Sequence, residues 1–222
     1  MISENHLAVS RTARYFLRGE PSGDVTDVWF ACHGYGQLAS EFVKEFECID
    51  APHRLVVVPE ALSRFYLAEP GGFHGPDSKV GATWMTREDR DVEIADYVRY
   101  LDDLYDAILE SVPRNAARVN VLGFSQGGAT ATRWLTRGRA IPDRLLLWGS
   151  LLPNDLDLAD AAPMLNGLQL SIIYGTRDKY ADNTAISAYE ELLRANRVEF
   201  TLETFDGGHR MDRTTLTNLA GD

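Results

Sequence analysis

A chain of 222 residues, 45% hydrophobic and 25% charged, has the length and composition of one ordinary globular domain. Its 33 acidic and 22 basic side chains leave a formal net charge of −11, which repels phosphate backbones and anionic bilayers, so nucleic acid is not an expected partner. No apolar window approaches the roughly 18 residues of a membrane span, and residues 1–6 carry neither a basic nor a long apolar stretch. A cytoplasmic location without stable membrane association is therefore expected, with a lipid still open as a substrate. Cys32 and Cys48 come without a CxxC pair or a Cys/His cluster, so neither a metal site nor a disulfide is expected and no cofactor is called for.

Along the chain, short apolar runs alternate with amphipathic stretches, the rhythm of an α/β fold with a mostly parallel sheet flanked by helices. Residues 6–18 alternate Leu7 and Val9 with Ser10 and Arg11 and predict an N-terminal edge strand or hairpin. Buried strands are predicted at Asp27–Cys32 and 55–58, then at 118–122, Arg144–Trp148, 168–174 and 198–204. A helix is predicted from Thr86, with Thr86 as its cap, Asp89 as a weak capping-box partner, and the acids of its first turn suited to the helix dipole. Ile94, Tyr97, Val98, Leu101, Leu104, Tyr105 and Ile108 then follow three-and-four spacing and form one apolar stripe, which Pro113 stops. The acids between them read as a solvated face. With no internal repeat or linker-like tract, residues 1–222 are expected to form a single domain.

Residues 119–128, VNVLGFSQGG, contain G-x-S-x-G directly after an apolar run and directly before a helical pattern. That placement is what a nucleophile elbow requires: a strand-to-helix turn so tight that its central serine is strained and its neighbours must be small. A serine at its ordinary pKa is a poor nucleophile and needs a base that is itself oriented by an acid. In an elbow fold the partners follow in the order Ser, acid, His. After the strand at 168–174 comes Asp178, and after the strand at 198–204 comes His209, the last of the five histidines. Ser125, Asp178 and His209 are therefore the catalytic candidates, with Asp182 and Asp206 as lesser alternatives for the acid.

An oxyanion hole needs two N–H groups aimed at the developing charge. The amide of Gln126 is one candidate, and the loop His33-Gly34-Tyr35-Gly36-Gln37 offers that of Tyr35 as the other, with His33 expected to be structural. Gly34-x-Gly36-x-x-Ala39 also follows a strand and matches a dinucleotide fingerprint, with Glu60 as the ribose-binding acid. That competing reading explains one segment, whereas the hydrolase reading explains three in the correct order.

The combination H-G-x-G, G-F-S-Q-G-G, G-x-x-D and G-G-H resembles the phospholipase/carboxylesterase family, which includes acyl-protein thioesterases. The resemblance spans roughly residues 27–212 and implies an α/β-hydrolase fold without a large cap, acting on small-molecule esters without a cofactor. It aligns Ser125, Asp178 and His209 with the family's triad and Tyr35 and Gln126 with its oxyanion donors. Gln37 departs from the Asp usual in the thioesterases, which leaves ester, thioester and lysophospholipid open as substrates, as well as a fold that has lost turnover. Within the Gly/Pro-rich stretch 59–86, Phe65, Tyr66, Phe73 and Trp84 form a dense aromatic set, beside His74. Trp84-Met85 resembles a segment that lines the family's site. Phe65, Tyr66, Phe73, Trp84 and Met85 are accordingly expected as pocket residues.

Overall fold

Apolar runs without alternation must be covered on both faces, and strands β2 (Asp27–Cys32) and β3 (Arg54–Pro59) are buried at every position. A computed structural model describes residues 1–67, 72, 74–180 and 183–221. These two strands sit within a seven-stranded sheet that also contains β1 (Tyr15–Arg18), β6 (Arg118–Phe124), β7 (Arg144–Trp148), β8 (Gln169–Gly175) and β9 (Thr201–Phe205), in the order β1-β3-β2-β6-β7-β8-β9. Only β1 runs antiparallel to its neighbour. The remaining two strands, β4 (Ser63–Tyr66) and β5 (Val80–Thr83), pair with each other in a separate antiparallel ribbon. The stretch expected to be loop thus holds a ribbon.

Because successive side chains on a strand point to opposite faces, each central strand feeds two cores. Val28, Phe30, Leu55, Val57, Val119, Val121, Leu145 and Leu147 face a core completed by α2 (Arg90–Leu109), α3 (Gln126–Arg137), α4 (Leu158–Leu165) and α5 (Asn183–Ala195). Trp29, Ala31, Val56, Val58, Leu122 and Leu146 face the other, covered by α1 (Ala39–Phe42), a 3₁₀ helix (Val43–Ile49) and α6 (Arg213–Ala220). This is the mostly parallel, helix-flanked sheet expected from the sequence. Among the described residues no helix is long and apolar enough to cross a membrane.

Three local expectations change. Residues 6–14 take no strand, and Leu7 and Val9 are exposed outside any ladder; pairing with β3 begins only at Tyr15. The long helix begins at Arg90, not Thr86: Asp89 adopts φ +48, outside the helical region, with no side-chain cap, and Thr86 Oγ1 instead accepts from the Glu88 amide at 3.1 Å. Asp102 is not part of a solvated face. It is buried and accepts from Trp134 Nε1 at 2.9 Å and the Arg139 amide at 2.8 Å, tying α2 to the end of α3.

At the N-terminal ends of the strands, buried Asp27 accepts from Trp29 Nε1, Arg54 Nε, Arg118 Nε and Asn120 Nδ2 at 2.6–3.2 Å. Burial alone would raise its carboxyl; the four donors outweigh that and hold it below its ordinary value. Arg54 and Arg118 also donate to the Ala220 carbonyl, which fastens the C-terminal helix beneath the sheet. Asp27→Ala leaves the Arg54 guanidinium buried without its carboxylate and should cost about 3–5 kcal/mol, read as a lower denaturation midpoint at unchanged m-value.

Candidate active site

The chain leaves β6 at Phe124 and enters α3 at Gln126, so Ser125 alone makes the turn, at φ 52° and ψ −119°. Such a turn brings backbones together where no side chain fits. A Cβ on Gly123 would lie 2.3 Å from the Gly127 carbonyl oxygen, and one on Gly127 would lie 2.1 Å from that of Cys32. Gly128 has the same constraint, since a Cβ there would lie 2.3 Å from Ser150 Oγ. The Ser125 amide donates to the Trp148 carbonyl at 2.9 Å, pinning the turn to the end of β7. The half-buried serine therefore stands at the carboxyl ends of the parallel strands, where sites form in open α/β sheets.

The loops after β8 and β9 meet beside it. Asp178 Oδ2 lies 2.7 Å from His209 Nδ1, and Asp178 Oδ1 accepts from the Tyr180 amide at 2.9 Å. Asp178 is buried, whereas Asp206 is exposed and paired with Arg177 instead of His209. Asp182 lies outside the described residues. The His209 ring packs on that of Phe124, the residue before Ser125, at 5.0 Å between centroids. Among the described residues neither Ser125 Oγ nor His209 Nε2 has a hydrogen-bond partner within the protein.

The loop after β2 is fastened from three sides. The Ala61 amide can only donate and the Gly34 carbonyl only accept, so their contacts at 3.1 and 2.8 Å fix His33 with its proton on Nδ1. Burial lowers the His33 pKa, with the Gly34 bond and Glu60 opposing it in part. Gln37 Oε1 accepts from the Gly34 amide at 2.8 Å, and the ribbon pairs with the loop through Gly36 N to Ala82 O (2.9 Å) and Ala82 N to Gln37 O (3.2 Å). Against this background the Tyr35 amide has no partner among the described residues. The Gln126 amide opens α3, where first-turn N–H groups lack helical acceptors.

Nothing about the loop suits a dinucleotide. The helix after it spans four residues, Ala39–Phe42, and buried Glu60 is taken up by Arg14 and Arg64, each at 2.7 Å, and by the Ala39 amide.

Residues 20–221 match the phospholipase/carboxylesterase family. The chain belongs to that family. It is accordingly a hydrolase of the phospholipase/carboxylesterase group with an α/β-hydrolase fold. No curated protein matches the sequence. Solved structures similar to it include acyl-protein thioesterase 2 from Zea mays, at 17% identity and TM-score 0.67, covering 94% of this chain and 96% of that one. A carboxylesterase from Mesorhizobium loti aligns at 18% identity and TM-score 0.65 over 95% of both chains, and one from Bacillus cereus at 15% and 0.64 over 94% and 92%. At these identities the likeness is one of fold.

The family frame does not by itself place the expected pocket residues. Trp84 is 2% exposed; it packs on Tyr97 and His33, and its Nε1 donates to the His33 carbonyl at 2.9 Å. It is a support under the loop, not an open wall. Half-buried Phe65 packs against the exposed ring of Tyr35 at 5.2 Å, while Tyr66 faces solvent, stacked on His74. Met85 is half-buried, its sulfur 3.8 Å from Arg133 Nη1. Asp155 holds that arginine at 2.6 Å and is itself brought down to about 2, first by the Arg133 bond. Phe73 lies outside the described residues.

Two features had no signal in the sequence. The Gln126 side chain donates to Thr83 Oγ1 (3.0 Å) and the Met85 carbonyl (2.9 Å) and accepts from the Trp84 amide (3.2 Å), bracketing α3 to the ribbon. Gly149, at φ +55°, passes directly under His209, where a Cβ would lie 2.9 Å from Cε1.

Trp84→Ala should cost about 3–5 kcal/mol of stability, measured by chemical denaturation. Since His33 has a folded pKa below its unfolded value, its contribution is complete above about pH 6.5 and is lost as pH falls through that value toward the folded one. Thermal unfolding at pH 7 and pH 5 should show this loss, and His33→Gln should make it shallower.

Proposed function

We propose that the chain hydrolyses carboxylic esters of small or medium acyl length through an acyl-enzyme on Ser125, with His209 as general base and Asp178 as the acid that orients it. The observation that carries this reading is the 2.7 Å contact between His209 Nδ1 and the buried Asp178 carboxylate, made beside a serine at positive φ. A carboxylate at Nδ1 keeps the ring proton there and leaves the Nε2 lone pair for the Ser125 hydroxyl. The Ser125–His209 hydrogen bond forms as the ester arrives, since such bonds are often unmade or long without substrate.

In acylation, Nε2 takes the Ser125 proton as Oγ bonds to the carbonyl carbon and the carbonyl π pair moves to oxygen. The Tyr35 and Gln126 amides, the first unpartnered within the described residues and the second heading a helix, receive that oxyanion. Collapse breaks the ester bond, and the leaving alkoxide takes the proton from Nε2. Water, deprotonated by the same nitrogen, then attacks the acyl carbon and releases the acid with Ser125 restored. No step calls for a cofactor. We assign Phe65, Tyr66 and Met85 to the walls of the mouth and Trp84 to its support, on one α/β-hydrolase domain.

Ser125→Ala should lose roughly 10³-fold or more of p-nitrophenyl ester turnover while keeping the melting temperature. Asp178→Asn should lower kcat by roughly 10²–10⁴-fold through the wrong His209 tautomer, with Asp206→Asn nearly silent. If Asp206→Asn proves the crippling change, the acid is misassigned. A chain-length series run beside one thioester and one lysophospholipid tells which leaving group the mouth prefers.

A further inference from the structure

His209 ends a loop whose two preceding residues are Gly207 and Gly208, so its own backbone does little to hold the ring. The surroundings hold it instead. Phe124 packs on the ring at 5.0 Å and a tilt of 35°, Gly149 passes under Cε1 where no side chain would fit, and Asp178 takes Nδ1. A further contact is the ring of Tyr180, 4.8 Å away and nearly perpendicular at 72°. Among the described residues, only the Nε2 edge carries no hydrogen bond.

These contacts differ in kind. Phe124 is buried at the end of β6 and Asp178 is buried in the turn after β8, whereas Tyr180 is 70% exposed. An aromatic ring with that much freedom would ordinarily swing in solvent. This one is retained by Lys179, whose Nζ stands 4.9 Å from its centroid, within cation–π range. Its backbone is fixed as well, since its amide donates to Asp178 Oδ1 at 2.9 Å. One residue therefore touches both partners of the Asp–His pair, the acid through its N–H and the imidazole through its ring.

We infer that Tyr180 is a positioning residue, whose ring forms the solvent-side wall that keeps the His209 imidazole aimed at Ser125. The inference rests on the serine-hydrolase reading above. The ring touches His209, so its loss acts on the chemical step: a small misplacement of a catalytic group is costly even when binding is intact.

Tyr180→Ala removes the ring but keeps the amide that Asp178 accepts. It should lower kcat for a p-nitrophenyl ester by about 10- to 100-fold with KM little changed and the melting temperature held. Tyr180→Phe, which keeps the ring, should restore most of the lost turnover. A rise in KM at unchanged kcat would make the ring a substrate contact and overturn the inference, as would wild-type turnover in Tyr180→Ala, or a loss that Phe does not restore. Ser125→Ala measured alongside separates the two levels. If it stays active, the hydrolase reading itself fails; if it is dead while Tyr180→Ala is normal, only the role of Tyr180 fails.

Discussion

At Ser125 the chain reverses from β6 into α3 through a single residue, and the start of the helix lies directly against the end of β2. This close approach of backbones is the constraint on which the site depends. It places a polar side chain at positive φ above the strand ends and at the head of α3. It also brings α3 against the Cys32 and His33 carbonyls with no room for a side chain at Gly127. A serine in that conformation costs on the order of 1–3 kcal/mol, an amount a double core with buried strands on both sides can sustain.

In the proposed mechanism the loop after β2 has the complementary task of presenting an amide to the serine. Several of its other polar groups are occupied: His33 by Gly34 and Ala61, Gly34 N by Gln37, Gly36 N by Ala82, and the His33 carbonyl by Trp84. The ribbon β4–β5 serves as scaffolding here, pairing with the loop on one side and bracketed to α3 by the Gln126 side chain on the other. The Tyr35 amide is left without a partner among the described residues, and in the proposed mechanism it receives the oxyanion. Gln37 fills its position as a neutral acceptor for the Gly34 amide, so the loop is shaped without adding negative charge.

The acidic excess of the chain is spread over the surface, while its buried carboxylates each have a specific partner. Asp27 gathers the N-terminal ends of the strands, Glu60 ties Arg14 and Arg64 to the start of α1, and Asp102 joins α2 to α3. Asp178 differs because its partner is an imidazole and not an arginine or indole. A buried carboxylate that orients an imidazole suits proton transfer, whereas one facing arginine serves structure.

The strand–helix rhythm, the elbow at Ser125 and the order Ser125, Asp178, His209 were legible in the residues alone. Those features are local or serial: a buried strand needs an apolar run, the elbow needs Gly123 and Gly127, and an α/β chain delivers its loops to one edge in turn. The apolar stripe of α2 was legible for the same reason, but its start was not, because the left-handed turn at Asp89 depends on where the preceding loop must go. Only the tertiary structure decided that Trp84 supports the loop instead of lining a wall, that Asp102 is buried, and that Tyr180 and Gly149 bound the His209 ring. Each of those depends on a contact between segments far apart in the chain. A tryptophan or an aspartate reads the same in sequence whether its partner is solvent or a neighbouring helix, and only the packed sheet determines which it meets.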